Sequence, residues 1–241
     1  MRIGIFGRGR LGSAIASVGG DAVIWRLGRD ETPPAEAKVD VAIDASTGAA
    51  VEGHLGWALK EGTPLVIGAT GWSVPDLKDR VGNQIGVVVA PNFSLSVALY
   101  ARLSLILARF AALDPARDPY IVEHHHARKK DAPSGTAKLL AGVILKGCSR
   151  KTEWTLQGPG DIKEHQLSVS SIRAGHTYSS HIVGIDAPAE TLELHHASRS
   201  PMAYADGALR VAEWVKDRKG VFTMDQFCQE ALDPLFTEVR P

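Results

Sequence analysis

Cysteine is scarce in this chain: two residues, Cys148 and Cys228, far apart in its 241 positions. That excludes a disulfide framework, a Cys-based zinc site and a C-x-x-C redox motif, and predicts two reduced thiols. An excess of charge of either sign is also missing, since Lys+Arg and Asp+Glu number 27 each. Such a balanced chain has no net field to draw nucleic acid or an anionic membrane surface, and neither is expected as a partner. Long apolar runs are lacking as well. The longest candidate, Ser94 to Ala112, is broken by Arg102 and Arg109 and reads as an amphipathic helix rather than a span. No charged segment with an apolar core precedes the strand-like run at Ile3 to Phe6, so no signal peptide is expected and the cytoplasm is the expected location. Internal repeats and low-complexity tracts are not found.

What is present is a hydrophobic fraction of 44%, enough for one large core or two modest ones. The first ninety or so residues alternate in type. Short apolar runs at Arg2–Phe6, Ala22–Trp25, Val39–Ile43, Pro64–Ile67 and Ile85–Val89 predict strands. Helical periodicity lies between them at Leu11–Val18 and Val51–Lys60, the latter stopped by Gly62. Strands alternating with helices imply βαβ units and a parallel sheet covered on both faces. The pattern then changes. Ser94–Ala112 predicts one long helix, Tyr120–Glu123 a strand, and Ser134–Leu145 a helix with Ser134 as its N-cap. Trp154 to Ala197 reads mostly as strands, and Ala203–Val215 returns to a helical period. The expected fold class is α/β: a Rossmann-type parallel-sheet dinucleotide domain, residues 1–94 with 205–241, and an inserted α+β domain for substrate and oligomerisation, residues 95–204.

The first strand runs into Gly7-Arg8-Gly9-Arg10-Leu11-Gly12. This is G-x-G-x-x-G between a strand and a helix, the context that gives it meaning. Gly7 permits the tight turn, Gly9 lets the backbone approach a pyrophosphate, and Gly12 lets the helix pack on the strand. The helix N-terminus offers N–H donors to phosphate. At the expected end of the second strand, Trp25-Arg26 stands where an NAD-specific site places an acidic residue. Arg26 is matched to a 2′-phosphate, and Arg8, Arg10 and Arg29 lie close in sequence, so NADPH is the expected cofactor, with NADH a possible second.

Three consecutive histidines, His124-His125-His126, invite a metal reading. On a strand only His124 and His126 share a face, and no neighbouring cysteine or second histidine pair completes a tetrahedral set, so no metal is expected. The rest of the segment is chemically dense. His125 and Lys129 are four residues apart, and Ser134, Gly135 and Thr136 open a helix able to hold a carboxylate. A general acid, a cation and an anion-binding helix start fit a carboxylate substrate that takes a proton during reduction. A basic loop followed by a capped helix fits the same residues.

The run Glu123-x-His125-His126-x-x-Lys129-x-Asp131-Ala132-Pro133-Ser134-Gly135-Thr136-Ala137 resembles the signature of dihydrodipicolinate reductases. Other segments similar to that family follow in order: the glycine loop, Ile43-Asp44-Ala45-Ser46, Gly68-Ala69-Thr70-Gly71, Ala90-Pro91-Asn92-Phe93-Ser94, Ser171-Ile172-Arg173-Ala174-Gly175 and the run from Ala197 to Gly207 with Arg199. The resemblance covers nearly the whole chain. It implies His125 as catalytic acid and Lys129 as the cation at the substrate nitrogen or carboxylate. It implies substrate contacts at His126, Gly135 and Thr136, with Ser134 at the same helix start and Arg173 in a family motif of the substrate domain. Gly68, Ala69 and Thr70 would line the nicotinamide ribose, and Ala90, Pro91, Asn92 and Phe93 would contact the nicotinamide. The implied substrate is a cyclic dicarboxylate in diaminopimelate and lysine biosynthesis, and the implied assembly a homotetramer.

The chain departs from the family in places. Leu11 stands where Met is common, Trp25 where an acidic residue is expected, and Ser179 where glycine is usual. The last predicts an altered turn, since only glycine takes positive φ freely. Two other functions remain: another dehydrogenase on the same nucleotide domain, which leaves the His125–Ala137 run unexplained, and an NADPH-binding redox sensor, for which retention of both His125 and Lys129 has no purpose.

Overall fold

The first strand, β1 (Ile3–Phe6), is buried at every position, as a strand between two helical layers must be. After it come α1 (Arg10–Gly19), β2 (Val23–Leu27), β3 (Val41–Asp44), α2 (Val51–Glu61), β4 (Leu65–Ile67), α3 (Leu77–Val81) and β5 (Gly86–Val89). The computed structural model describes residues 1–237. Helix α2 stops at Gly62, which takes the left-handed conformation as C-cap at φ 66°. Strand β2 runs on to Leu27 instead of ending at Trp25-Arg26.

The chain continues through α4 (Leu95–Ala112), β6 (Asp118–His125), α5 (Gly135–Gly147), β7 (Glu153–Leu156), β8 (Gln166–Arg173), β9 (Ser179–Ala187) and β10 (Glu190–Ser198). It ends with α6 (Met202–Val215), β11 (Gly220–Thr223), α7 (Met224–Leu232) and α8 (Pro234–Thr237). Two units result: one from Met1 to Leu95 together with the chain from Pro201 onward, the other Ser96–Ser200.

The first unit holds a six-stranded sheet in the order β11-β5-β4-β3-β1-β2, each adjacent pair parallel. Its strand order reverses at β1, so β2 and β3 leave on opposite sides and a crevice opens beyond their carboxyl ends. One face is filled by Phe6, Trp25, Leu27, Leu65 and Ile67 against Val51, Leu55 and Ala58 of α2. Strand β11 and helix α7 were not foreseen. Four residues in β11 give too short an alternation, but Thr223-x-x-Gln226 is a legible helix-start signal, and the structure forms that capping box.

The second unit holds a mixed five-stranded sheet, β10-β9-β6-β8-β7. Strands β10, β9 and β6 pair antiparallel, while β6, β8 and β7 pair parallel. Among the described residues α4 is the helix whose length and mean apolar content suffice to cross a bilayer, with Arg102 and Arg109 interrupting it. Its Tyr100, Leu107, Ala108 and Ala111 pack with Ile121, Leu140, Val169 and Val183, the arrangement of a core helix. The residue in place of the family glycine, Ser179, starts β9 paired with Ser198, and no described non-glycine residue has positive φ. No special turn is needed there.

Candidate active site

The glycine loop follows β1 as the sequence requires. Gly7 has φ 117°, and a Cβ on Gly12 would land on the Gly7 carbonyl oxygen, so both positions require glycine. A Cβ on Gly9 would meet nothing within 4 Å, which leaves open space over the start of α1. Among the described residues no side chain caps that helix, and its first turn holds no acidic residue, so its first N–H groups face the space. These features fit a dinucleotide pyrophosphate. Arg10 is exposed and Leu11 half-buried in the first turn.

A cleft of about 760 Å³ opens at the carboxyl ends of β1, β2 and β3, bordered by Arg8, Gly28, Arg29, Glu31, Ser46 and His54 among others. Arg26 is not on its lining; it pairs with Ile5 inside the sheet. Arg29, beyond the end of β2, borders the cleft together with Arg8. Trp25 is also not free to stack on adenine. It is 7% exposed, packs edge-on against Phe6 and Trp57, and donates its indole N–H to the Ala37 carbonyl at 3.2 Å. Nor does the cleft lack a carboxylate. Glu31 accepts from the Gly28 N–H at 2.8 Å and from Arg8 at 2.7 Å. The bond from Gly28 is the chief cause that holds its carboxyl below the ordinary value, with the charge of Arg8 adding to it against burial.

Further along the same sheet edge, the Gly68 and Ala69 N–H groups donate to the Asp44 carbonyl at 2.8 and 3.2 Å, which shapes the loop after β4 and exposes Thr70. After β5, Ala90 donates to Ile67 at 2.9 Å. Pro91 is exposed and Asn92 turns its side-chain oxygen back to the Ser94 N–H at 2.8 Å. Phe93 is 1% exposed, its ring filling the space where a Gly68 side chain would be. It shapes the loop from below and has no exposed face for a cofactor. Asp44, fully buried, binds the Ser46 N–H at 2.9 Å and His54 Nδ1 at 2.7 Å.

In the second unit, strand β6 extends through His125, so the histidines lie on alternating faces. His124 turns to the Ala174 carbonyl at 3.0 Å. Glu123 and His125 share the buried face, where a residue from β9 joins them: His181, 1% exposed. His125 Nε2 is 3.4 Å and His181 Nε2 is 3.6 Å from Glu123 Oε2. Spacing along the chain does not show that His181 meets Glu123 and His125, because β9 reaches β6 only through sheet pairing. The three are close enough to be a metal ligand set. Glu123, however, already accepts from the Ser134 N–H at 3.0 and 3.1 Å, from Ser171 Oγ at 2.6 Å and from Arg173 at 2.6 Å. An arginine on the carboxylate opposes a second cation, so a hydrogen-bonded carboxylate–imidazole site fits these residues better than a metal centre.

Burial pushes the Glu123 carboxyl up, but hydrogen bonds from His181, Ser134, Ser171 and Arg173 outweigh it and hold the group far below the usual carboxylate range. His125 is pulled below its ordinary value by burial first and by His181 and Lys129, against the opposing pull of Glu123. Its Nδ1 lies 3.0 Å from the Tyr178 carbonyl, which can only accept, so Nδ1 carries the hydrogen. Nε2 has no hydrogen-bond partner among the described residues.

Lys129 follows on a turn, its N–H on the His126 carbonyl at 3.0 Å and its Nζ on Asp131 at 2.7 Å. His126 is half-buried, with Nδ1 unpartnered among the described residues. At the head of α5, Ser134 caps as expected, its Oγ accepting from the Ala137 N–H at 3.1 Å. Its own N–H goes to Glu123 and its hydroxyl lies 3.1 Å from His181 Nε2, and the residue is 3% exposed, so it supports the helix start from within. Gly135 and Thr136 keep N–H groups without an intrahelical acceptor. Arg173 likewise turns inward: besides Glu123 it binds the Asp131 carbonyl at 2.7 Å, bracing the turn that carries Lys129.

A parallel sheet with a glycine loop at its switch point, and a carboxylate–imidazole site beside an open helix start, define a nucleotide-dependent oxidoreductase of two units. Models of the dihydrodipicolinate reductase N-terminus and C-terminus match residues 28–93 and 96–228. A relative from Magnetococcus marinus named 4-hydroxy-tetrahydrodipicolinate reductase is 37% identical over 226 residues, 90% of this chain and 79% of that protein. Another of that name, from Zymomonas mobilis, is 33% identical over 249 residues, 92% and 94% of the two chains. The chain belongs to the dihydrodipicolinate reductase family. The fold agrees: dipicolinate-bound dihydrodipicolinate reductase from a Paenisporosarcina species superposes with a TM-score of 0.73 at 21% identity, covering 92% of this chain and 97% of that one.

Proposed function

We propose that the chain reduces 4-hydroxy-tetrahydrodipicolinate to tetrahydrodipicolinate with NAD(P)H, in diaminopimelate and lysine biosynthesis. The observation that carries this reading is the β6–α5 segment. It joins a buried imidazole, a lysine and a helix start with two open N–H groups between His125 and Thr136. The substrate is a cyclic dicarboxylate. Its carboxylates are met by Lys129 and by the Gly135 and Thr136 N–H groups, with His126 beside them. Reduction adds one hydride and one proton, and water leaves when the hydrated precursor is used. The bound nicotinamide supplies the hydride. His125 supplies the proton, and the charge of a bound dianion draws its pKa back toward neutrality for that task. Purified protein, NADPH and the product of dihydrodipicolinate synthase should lose nicotinamide absorbance together; no loss with either nucleotide would reject the reading.

The cofactor cleft supports use of both nucleotides with a shallow preference for NADPH. Arg29 and Arg8 offer guanidinium groups to a 2′-phosphate, while Glu31 beside them can accept from free ribose hydroxyls. The assembly proposed is a homotetramer. Ile106, Phe110 and Leu192 lie exposed around one apolar groove of the second unit, a surface suited to a second copy. Light scattering should give four times the chain mass, and a monomer would refute it. A cytoplasmic location is supported by two buried cysteines, Cys148 and Cys228, neither of them in a disulfide, and cell fractionation checks it.

A further inference from the structure

Glu123 is the residue on which the second-unit site converges. Four separate elements reach it: the head of α5 through the Ser134 N–H, β8 through Ser171 and Arg173, β9 through His181, and its own strand through His125 two positions on. It is fully buried, so none of these contacts is shared with solvent. We propose that Glu123 is the positioning residue of the reaction, stabilising the imidazolium of His125 at Nε2 while holding the Gly135–Thr136 helix start in register with it. This rests on the reductase reading above and adds to it a residue that acts through others.

The geometry shows how. The Tyr178 carbonyl takes the Nδ1 hydrogen of His125 and thereby sets the tautomer, leaving Nε2 as the proton-exchanging atom. The Glu123 carboxylate faces that atom at 3.4 Å. Arg173, Ser171 and the Ser134 N–H keep the carboxylate ionised, so it does not take the proton itself but stabilises the imidazolium. The charged and titratable groups around His125 are therefore Glu123 on its own strand, His181 on β9, Arg173 on β8 and Lys129 on the following turn. Glu123 is the single anion among these, opposed by two cations and a second imidazole. The same carboxylate ties down Ser134, and through it the first turn of α5. Ser179, in place of the family glycine, puts a hydroxyl 3.4 Å from His181 Nδ1 and braces that ring from the far side.

The test is Glu123→Gln, an isosteric change that removes the charge. Imidazole NMR titration of His125 should show its pKa lowered by about one unit or more. The alkaline limb of the kcat profile should shift to lower pH by the same amount, and dipicolinate should bind more weakly. An unmoved titration and unmoved limb would overturn the proposal. Glu123→Asp, which keeps the charge, covers a Gln variant that does not fold: the His125 titration and the alkaline limb should stay near those of the unmodified protein while dipicolinate binds more weakly, and a titration lowered as far as loss of the charge predicts would overturn the proposal. Failure of the two readings is distinguishable. If Glu123→Gln shifts the His125 titration but the unmodified protein reduces no dicarboxylate, the reductase reading falls and the role of Glu123 stands. If the unmodified protein turns over normally and the titration in Glu123→Gln is unmoved, the reductase reading stands and the role of Glu123 falls.

Discussion

A single imidazole with one nitrogen committed to a carbonyl and the other facing a carboxylate can release or accept a proton at only one atom. His125→Gln removes that atom and keeps the approximate shape. Turnover should fall by about 100-fold or more, as for loss of a general acid, with nucleotide affinity unchanged by fluorescence titration. Near-normal turnover would remove His125 from the chemistry. The cleft of the first unit permits an equally local prediction. Arg29→Ala should weaken NADPH binding by roughly tenfold and NADH binding little, because only the former carries the phosphate. Glu31→Gln should act in the opposite sense, improving NADPH relative to NADH and freeing Arg8. Equal changes for both nucleotides would show that neither side chain reads the ribose.

Helix α5 depends on its first turn more than on its length, because its opening N–H groups are divided between internal support and an open site. Ser134→Ala removes the acceptor for Ala137 and the contact with His181. Loss of an N-cap costs about 1 kcal/mol, and the variant should also bind dipicolinate more weakly, since the turn bearing Gly135 and Thr136 loses its anchor. Thr223→Ala is the matched control. It breaks the capping box of α7 in the first unit at a similar cost of about 1 kcal/mol, yet should leave turnover unchanged. If the two variants behaved alike in dipicolinate binding, the head of α5 would be structural only.

The response of the whole molecule to acid follows from groups whose folded pKa lies below the unfolded one. His125 and His196 are both lowered from 6.5, chiefly by burial, and Glu123 is lowered from 4.5 by its hydrogen bonds against burial. In each case the unfolded chain binds more protons over the interval between the two pKa values, so stability rises with pH there. The contribution of the histidines is complete above pH 6.5 and is lost as pH falls below it; that of Glu123 is complete above 4.5 and is lost below that. The melting temperature should therefore decline in two stages on acidification, and His125→Gln should reduce the first. A flat melting temperature between neutral pH and 4.5 would contradict the buried neutral state of these histidines.

Patterns that depend on near neighbours were legible before any coordinates. Period and punctuation marked β1, α2 with its Gly62 stop, and α5 with its Ser134 cap, because hydrogen bonding within a few residues decides them. The glycine loop and the His125–Lys129 spacing were legible for the same reason. What crossed the sheets was not. Pairing with β1 placed Arg26 within β2 and Trp25 in the core, and left Arg29 beyond the strand's end on the cleft. Phe93 and Ser134 carry family motifs but face inward, since each fills space beneath the loop it supports. Arg173 and His181 reached Glu123 from β8 and β9, roughly fifty residues away along the chain, brought together by strand register. The sequence thus determined which chemical groups and which local elements the chain owns. Only the tertiary structure decided which groups remain open and which hold the others in place, because burial and pairing between strands distant in sequence leave no local trace.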